Sequence, residues 1–216
     1  MLTEAQFQGV ALMVTREPGV TVKEAVVGNH HKSSAGNTFS HDVGKSQYER
    51  VSEIRIKAGT DTAYLPYYQD KISSIVLPDT GPSVFVTDNM SGCCLYIDRQ
   101  ANGQLVVFHA NSQLGSSQAV MAGKPPSYQT ESATKALDAL VQAARRDHAN
   151  LTSIGILSKS RYLSKVDKLA KTADDFLGGT TIVAFRKGKN WEFWYQNFGS
   201  IKGGKAALLH AEKFFP

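Results

Sequence analysis

Three β-type runs follow one another in one short stretch, Val84 to Thr87, Cys93 to Ile97 and Leu105 to Phe108, with Asn102-Gly103 in the last break. Such runs, with an Asn-Gly turn between two of them, predict a tight hairpin within a larger sheet. Further extended segments are expected at Val20 to Val27, around Val51, Ile54 and Ile56, at Ile72 to Leu77, and in a buried strand from Ile154 to Leu157. Thr180 to Phe185 and Trp191 to Phe198 predict a second hairpin around the turn Arg186 to Asn190, with Trp191, Phe193, Trp194 and Tyr195 as its core. The polar stretch from Gly28 to Ser46 predicts a long loop.

Elsewhere the apolar period changes. Ala133, Leu137, Leu140, Val141 and Ala144 fall on one face of a helix that Glu131 and Lys135 support at i,i+4. Leu163, Val166, Leu169, Ala170, Ala173 and Leu177 predict a second helix with a Gly178-Gly179 stop, and Ala206 to Phe214 a last one. Strand clusters interleaved with helices, without a βαβ repeat, give an α+β fold class: a largely antiparallel sheet or sandwich. A chain of 216 residues fits a single domain, 1–216.

Composition narrows the function classes. No apolar run approaches the ~18 residues of a bilayer helix, so no membrane partner is expected. Met1 to Gly19 lacks the basic and apolar regions of a secretory signal. The two cysteines are neighbours, Cys93 and Cys94, which rules out a disulfide framework and points to a reducing compartment. Net charge is +5, and the surplus lies after residue 149, with 11 Lys/Arg against 5 Asp/Glu. Without an aromatic or Arg/Gly-rich RNA-binding signature, a solvated basic face is the better reading than a nucleic-acid surface.

Three apparent motifs fail on their own chemistry. Gly44-Lys45-Ser46 ends like a phosphate loop, but Phe39 occupies the position where that loop needs glycine. His30, His31, His41 and Asp42 are competent metal ligands at a spacing that matches no closed site, so no metal is expected and the histidines are read as solvated. Asn89-Met90-Ser91 and Asn150-Leu151-Thr152 fit the glycosylation pattern by chance.

Chemistry concentrates between Ser83 and Ser112. If the hairpin loop holds three residues, Gln100 to Asn102, then Cys93 lies directly across from His109 on the same face; a two-residue loop would put them on opposite faces. An imidazole beside a thiol accepts its proton and stabilises the thiolate, so Cys93 should be the more readily alkylated thiol. Ser91-Gly92 before it lets a carbonyl approach closely, and backbone amides there are placed to receive an oxyanion. Thr87, six residues upstream, is placed to hold the second nitrogen of His109 and fix its tautomer.

Thr87, Met90-Ser91-Gly92-Cys93 and His109 resemble the cysteine glutamine deamidases, the family of the cytotoxic necrotizing factor catalytic domain, Burkholderia lethal factor and the chemoreceptor deamidase. The likeness spans about thirty residues. It implies a β-sandwich of mostly antiparallel or mixed strands surrounded by helices, with Cys93, His109 and Thr87 as catalytic residues and no cofactor. It also implies a bacterial toxin or effector that leaves its cell without a Sec signal, acts in a host cytosol, and modifies a protein substrate such as a small GTPase or a translation factor; a monomer is the favoured state, with nothing in the sequence fixing it. A transglutaminase or other cysteine hydrolase, and a non-enzymatic basic binding module, are the alternatives. Papain-like and transglutaminase enzymes put the nucleophile at a helix N-terminus, against the hairpin placement here.

Overall fold

The computed structural model describes residues 2–34, 37–111, 125, 127–169, 176–200 and 205–216. In chain order the elements are α1 (Glu4–Gly9), β1 (Ala11–Arg16), β2 (Glu24–Val27), β3 (His30–Ser33), β4 (Phe39–Lys45), β5 (Val51–Ala58), β6 (Thr62–Leu65), β7 (Ile72–Val76), β8 (Val84–Met90), β9 (Cys94–Arg99) and β10 (Leu105–Ala110). They continue as α2 (Glu131–Arg145), β11 (Thr152–Leu157), α3 (Lys159–Leu163), β12 (Phe176–Lys187), β13 (Asn190–Ser200) and β14 (Ala207–Phe215). The protein is mostly β, built on two mixed sheets. The larger has the order β1-β5-β4-β6-β8-β12-β13-β14 and the smaller β11-β9-β10-β7-β3-β2.

The sheets share one core. Leu65, Phe85, Ile182 and Phe193 of the large sheet pack with Ile75, Leu95, Ile97 and Val107 of the small one. Alternation sends the other side chains of the small sheet outward. There Ile72, Tyr96, Val106 and Phe108 meet Leu137, Val141 and Ala144 of α2. The large sheet curls until β1 reaches β8, β12, β13 and β14. Leu12, Val14, Ile54, Val86 and Val183 fill that curl together with Phe7 of α1.

Several expectations change. Among the described residues only α2 is longer than two turns, so the helices do not form an envelope; α2 covers one face of the small sheet. Its predicted face and the Glu131–Lys135 pair, at 2.5 Å, are present. The last predicted helix is a strand instead, because β13 has an open edge and β14 fills it. Pairing shifts at Phe193/Trp194 and Asn197/Phe198 let β14 break the strict period of two that a strand normally shows in sequence. Of the second predicted helix only its first residue is helical: α3 ends at Leu163, Val166 and Leu169 lie in turns, Ala170 and Ala173 lie outside the described residues, and Leu177 and Gly178-Gly179 belong to β12.

The Gly28–Ser46 loop contains β3 and β4, because its polar residues find partners inside. Buried His41 accepts from Leu2 N at 2.9 Å through Nε2 and meets Thr62 Oγ1 at 2.7 Å through Nδ1. Buried His30 joins Asp147 Oδ2 at 2.6 Å and Ser74 Oγ at 2.7 Å. These two histidines are therefore not solvated. β11 is an edge strand with Ile156 exposed, not the buried strand expected. In the second hairpin Trp191, Phe193 and Tyr195 are buried in the inter-sheet core, and Trp194 packs on the opposite face. No described helix is long and apolar enough to cross a membrane.

Candidate active site

The chain passes from the large sheet to the small one at Ser91–Gly92–Cys93, between the end of β8 and the start of β9. Cys93 sits at that corner, and its side chain joins the inter-sheet core with Leu95 and Ile97. Cys94, one step on, faces α2. The hairpin loop does hold three residues, but they are Ala101 to Gly103. Gln100 N donates to Gln104 O at 2.9 Å, and Gly103 takes the left-handed conformation at φ +90°. The ladder runs Leu105↔Arg99 to Ala110↔Cys94, so Leu95 lies opposite His109. The register is therefore two residues from the one expected. A shift of two preserves facing, so Cys93 and His109 remain on the inner face, diagonal rather than opposed.

His109 reaches from the small sheet to Thr87 on β8 of the large one, with Nδ1 2.7 Å from Thr87 Oγ1. The Thr87 hydroxyl donates its own proton to Leu65 O at 2.8 Å, across the parallel β6–β8 pair where Leu65 and Thr87 are in register. With that proton committed, Thr87 accepts from His109, and the imidazole is held as the Nδ1–H tautomer. Nε2 is then the basic nitrogen. It is buried and has no hydrogen-bond partner among the described residues. Burial lowers the imidazole to about 4, so the ring is neutral at physiological pH.

The Cys93 thiol does not bond to His109. Sγ donates to Asn111 Oδ1 at 3.2 Å, and Asn111 Nδ2 donates to Tyr67 Oη at 3.3 Å. The Tyr67 and His109 ring centroids are 5.9 Å apart. Tyr67 N is fixed by Asp88 Oδ2 at 2.8 Å, and Tyr64 Oη donates to Asp88 Oδ1. From α3, Tyr162 Oη donates to Cys93 O at 3.3 Å. Burial pushes the Cys93 thiol up to about 12, while backbone amides at Gly92 and Ser91 pull the other way. Burial also raises Cys94. The resting thiol is thus neutral, against the expectation that an adjacent imidazole raises its thiolate fraction.

Asn111, Tyr67 and Tyr162 carry no sequence motif. Asn111 was reachable by alternation, two residues past His109 on the same strand face. The tyrosines come from the segment after β6 and from α3, which only the packing of the sheets brings to the sulfur. Among the described residues no cluster of three or more His, Cys, Asp or Glu is placed to hold a metal. The chain matches no known family model, and no curated protein is significantly similar to it.

Proposed function

We propose that the chain is a cysteine-dependent protein glutamine deamidase with Cys93 as nucleophile, His109 as general base and acid, and Thr87 as the residue that sets the His109 tautomer. The observation that carries this reading is Nε2 of His109, which has no partner among the described residues and whose lone pair the Thr87–Leu65 relay leaves free on the same inner face as Cys93. The order of residues agrees with the resemblance to the deamidase family, and the amides of Ser91 and Gly92 lie close enough to Sγ to favour negative charge there.

A stable thiolate–imidazolium pair is disfavoured in so dry a site. Proton transfer is therefore coupled to attack. Sγ gives its proton to Nε2 as it bonds to the carboxamide carbon, and the carbonyl π electrons move to oxygen under the Ser91–Gly92–Cys93 amides. The oxyanion collapses, the carbon–nitrogen bond breaks, and nitrogen takes the proton from Nε2 and leaves as ammonia. Water then gives a proton to Nε2 and attacks the thioester; the carbon–sulfur bond breaks and sulfur recovers its proton, leaving glutamate.

Two free cysteines are consistent with action in a reducing host cytosol as a bacterial effector, on a protein such as a small GTPase or a translation factor. Incubation of wild type and Cys93→Ala with such proteins, followed by peptide mass analysis, tests the reading. Amide-to-acid conversion is expected with wild type and absent with Cys93→Ala; equal conversion by the variant removes the proposal. Adding a primary amine separates hydrolysis from transamidation.

A further inference from the structure

We propose that the Asn111 carboxamide is a tethered stand-in for the substrate amide, and that the Tyr67 hydroxyl determines specificity by receiving the NH2 of that amide. This rests on the deamidase reading of the same site. The side chain that meets the thiol is itself a primary carboxamide, one methylene shorter than glutamine. Its oxygen accepts a hydrogen bond from Sγ at 3.2 Å, and its nitrogen donates to Tyr67 Oη at 3.3 Å. Both ends of the amide are thus read by groups on different elements: Cys93 at the sheet-to-sheet corner and Tyr67 after β6.

The layering around the sulfur gives the same direction. Cys93, His109 and Thr87 are fully buried, Asn111 is nearly so, and Tyr67 is 39% exposed. Tyr67 and Asn111 therefore form the outer part of the cluster, and an incoming amide must take the place Asn111 holds. The Tyr67 backbone is tied to Asp88, so its hydroxyl is preset for the nitrogen, and the departing ammonia forms beside the His109 ring. Asn111 keeps the thiol protonated and covered until a carboxamide displaces it.

Alkylation of the 216-residue chain tests this without a protein substrate, because iodoacetamide carries the same primary amide. Methyl iodoacetate is its neutral counterpart without N–H donors. Rates at Cys93 are read in a Cys94→Ser background and normalised to glutathione. Asn111→Ala is expected to speed iodoacetamide labelling at least tenfold and to show a preference for iodoacetamide over the ester. Tyr67→Phe added to it is expected to abolish the preference while keeping the speed. Asn111→Ser gives the same acceleration should the alanine variant not fold. Unchanged labelling in a folded Asn111 variant, or a preference that survives Tyr67→Phe, overturns the inference. That failure alongside Cys93-dependent deamidation sinks the tethered amide alone. The expected labelling without Cys93-dependent deamidation sinks the enzyme reading instead and leaves carboxamide recognition standing.

Discussion

The Thr87 hydroxyl joins the two sheets at His109, accepting from Nδ1 at 2.7 Å while it donates to Leu65 O at 2.8 Å. Thr87→Val keeps the volume and removes both bonds. A buried N–H is left without an acceptor, at a cost of about 1–3 kcal/mol. The tautomer is also released, so on the proposed deamidase reading activity is expected to fall by about 10- to 100-fold as the proposed general base is misplaced. Thr87→Ser should recover most of both. Nitrogen NMR of His109 checks the cause: the wild type shows the Nδ1–H form, and an unchanged tautomer in Thr87→Val would detach Thr87 from the chemistry.

Acid should destabilise this protein through its buried histidines. Burial lowers His109 to about 4 from 6.5. His148 is also lowered to about 4, by burial first and then by Lys32 and His30, with Asp147 opposing. The unfolded chain binds these protons first, so stability is complete above about pH 6.5 and is lost as pH falls toward 4. For fully buried His109 the loss reaches about 3 kcal/mol at pH 4, taking about 1.4 kcal/mol per pKa unit. Urea denaturation at pH 7, 5.5 and 4 reads the slope. His148→Gln should flatten it, and a pH-independent midpoint would contradict the assigned burial.

The part of the candidate site carried by local alternation was legible in the sequence: Thr87 and His109 lie on strands, Cys93 immediately precedes one, and period two places their side chains. Register was not, because Asn102-Gly103 suits more than one three-residue loop; the left-handed residue turned out to be the last of the loop rather than the one after it. Side chains that reach the sulfur from remote segments, Tyr67 and Tyr162, leave no periodic trace. In the fold, α2 and both hairpins were visible for the same local reason. β14 was not, since its spacing imitates a helix and only the open edge of β13 makes it a strand. β3 and β4 were hidden by polar residues whose partners, Ser74, Asp147 and Thr62, lie far away in the chain.

Asp98 is fully buried on the α2 side of β9, and Arg145 in the last turn of α2 grips both of its oxygens, Nε to Oδ2 at 2.6 Å and Nη2 to Oδ1 at 2.8 Å. Arg145→Ala strands a buried carboxylate, with an expected loss of about 3–5 kcal/mol. Arg145→Lys should restore only part, because an ammonium cannot bond in the same forked geometry. The double variant Asp98→Asn/Arg145→Met should lie closer to wild type than Arg145→Ala does. Denaturation midpoints of the three variants decide whether the pair holds α2 on the sheet.

Among the described residues β1 pairs only with β5, on one edge, and side chains serve its other edge in place of a strand. Gln196 Oε1 accepts from Leu12 N at 2.7 Å, and its Nε2 donates to Phe7 O at 2.6 Å and Val10 O at 3.2 Å. Asn89 bonds both Val14 N and Val14 O at 3.1 Å, and Thr181 Oγ1 donates to Leu12 O at 2.6 Å. These groups keep the large sheet curled, since each satisfies a backbone dipole that would otherwise be buried alone. Gln196→Leu leaves three such groups unpaired and should lower stability by about 2–4 kcal/mol, somewhat less than three separate penalties because the segment can relax. Hydrogen exchange gives the sharper reading. In Gln196→Leu the Leu12 amide should lose protection with Val14 less affected, and in Asn89→Ala the order should reverse. A Leu12 amide still protected in folded Gln196→Leu would mean that the curl is held by the packing of Leu12, Val14 and Phe7 and not by these side-chain bonds.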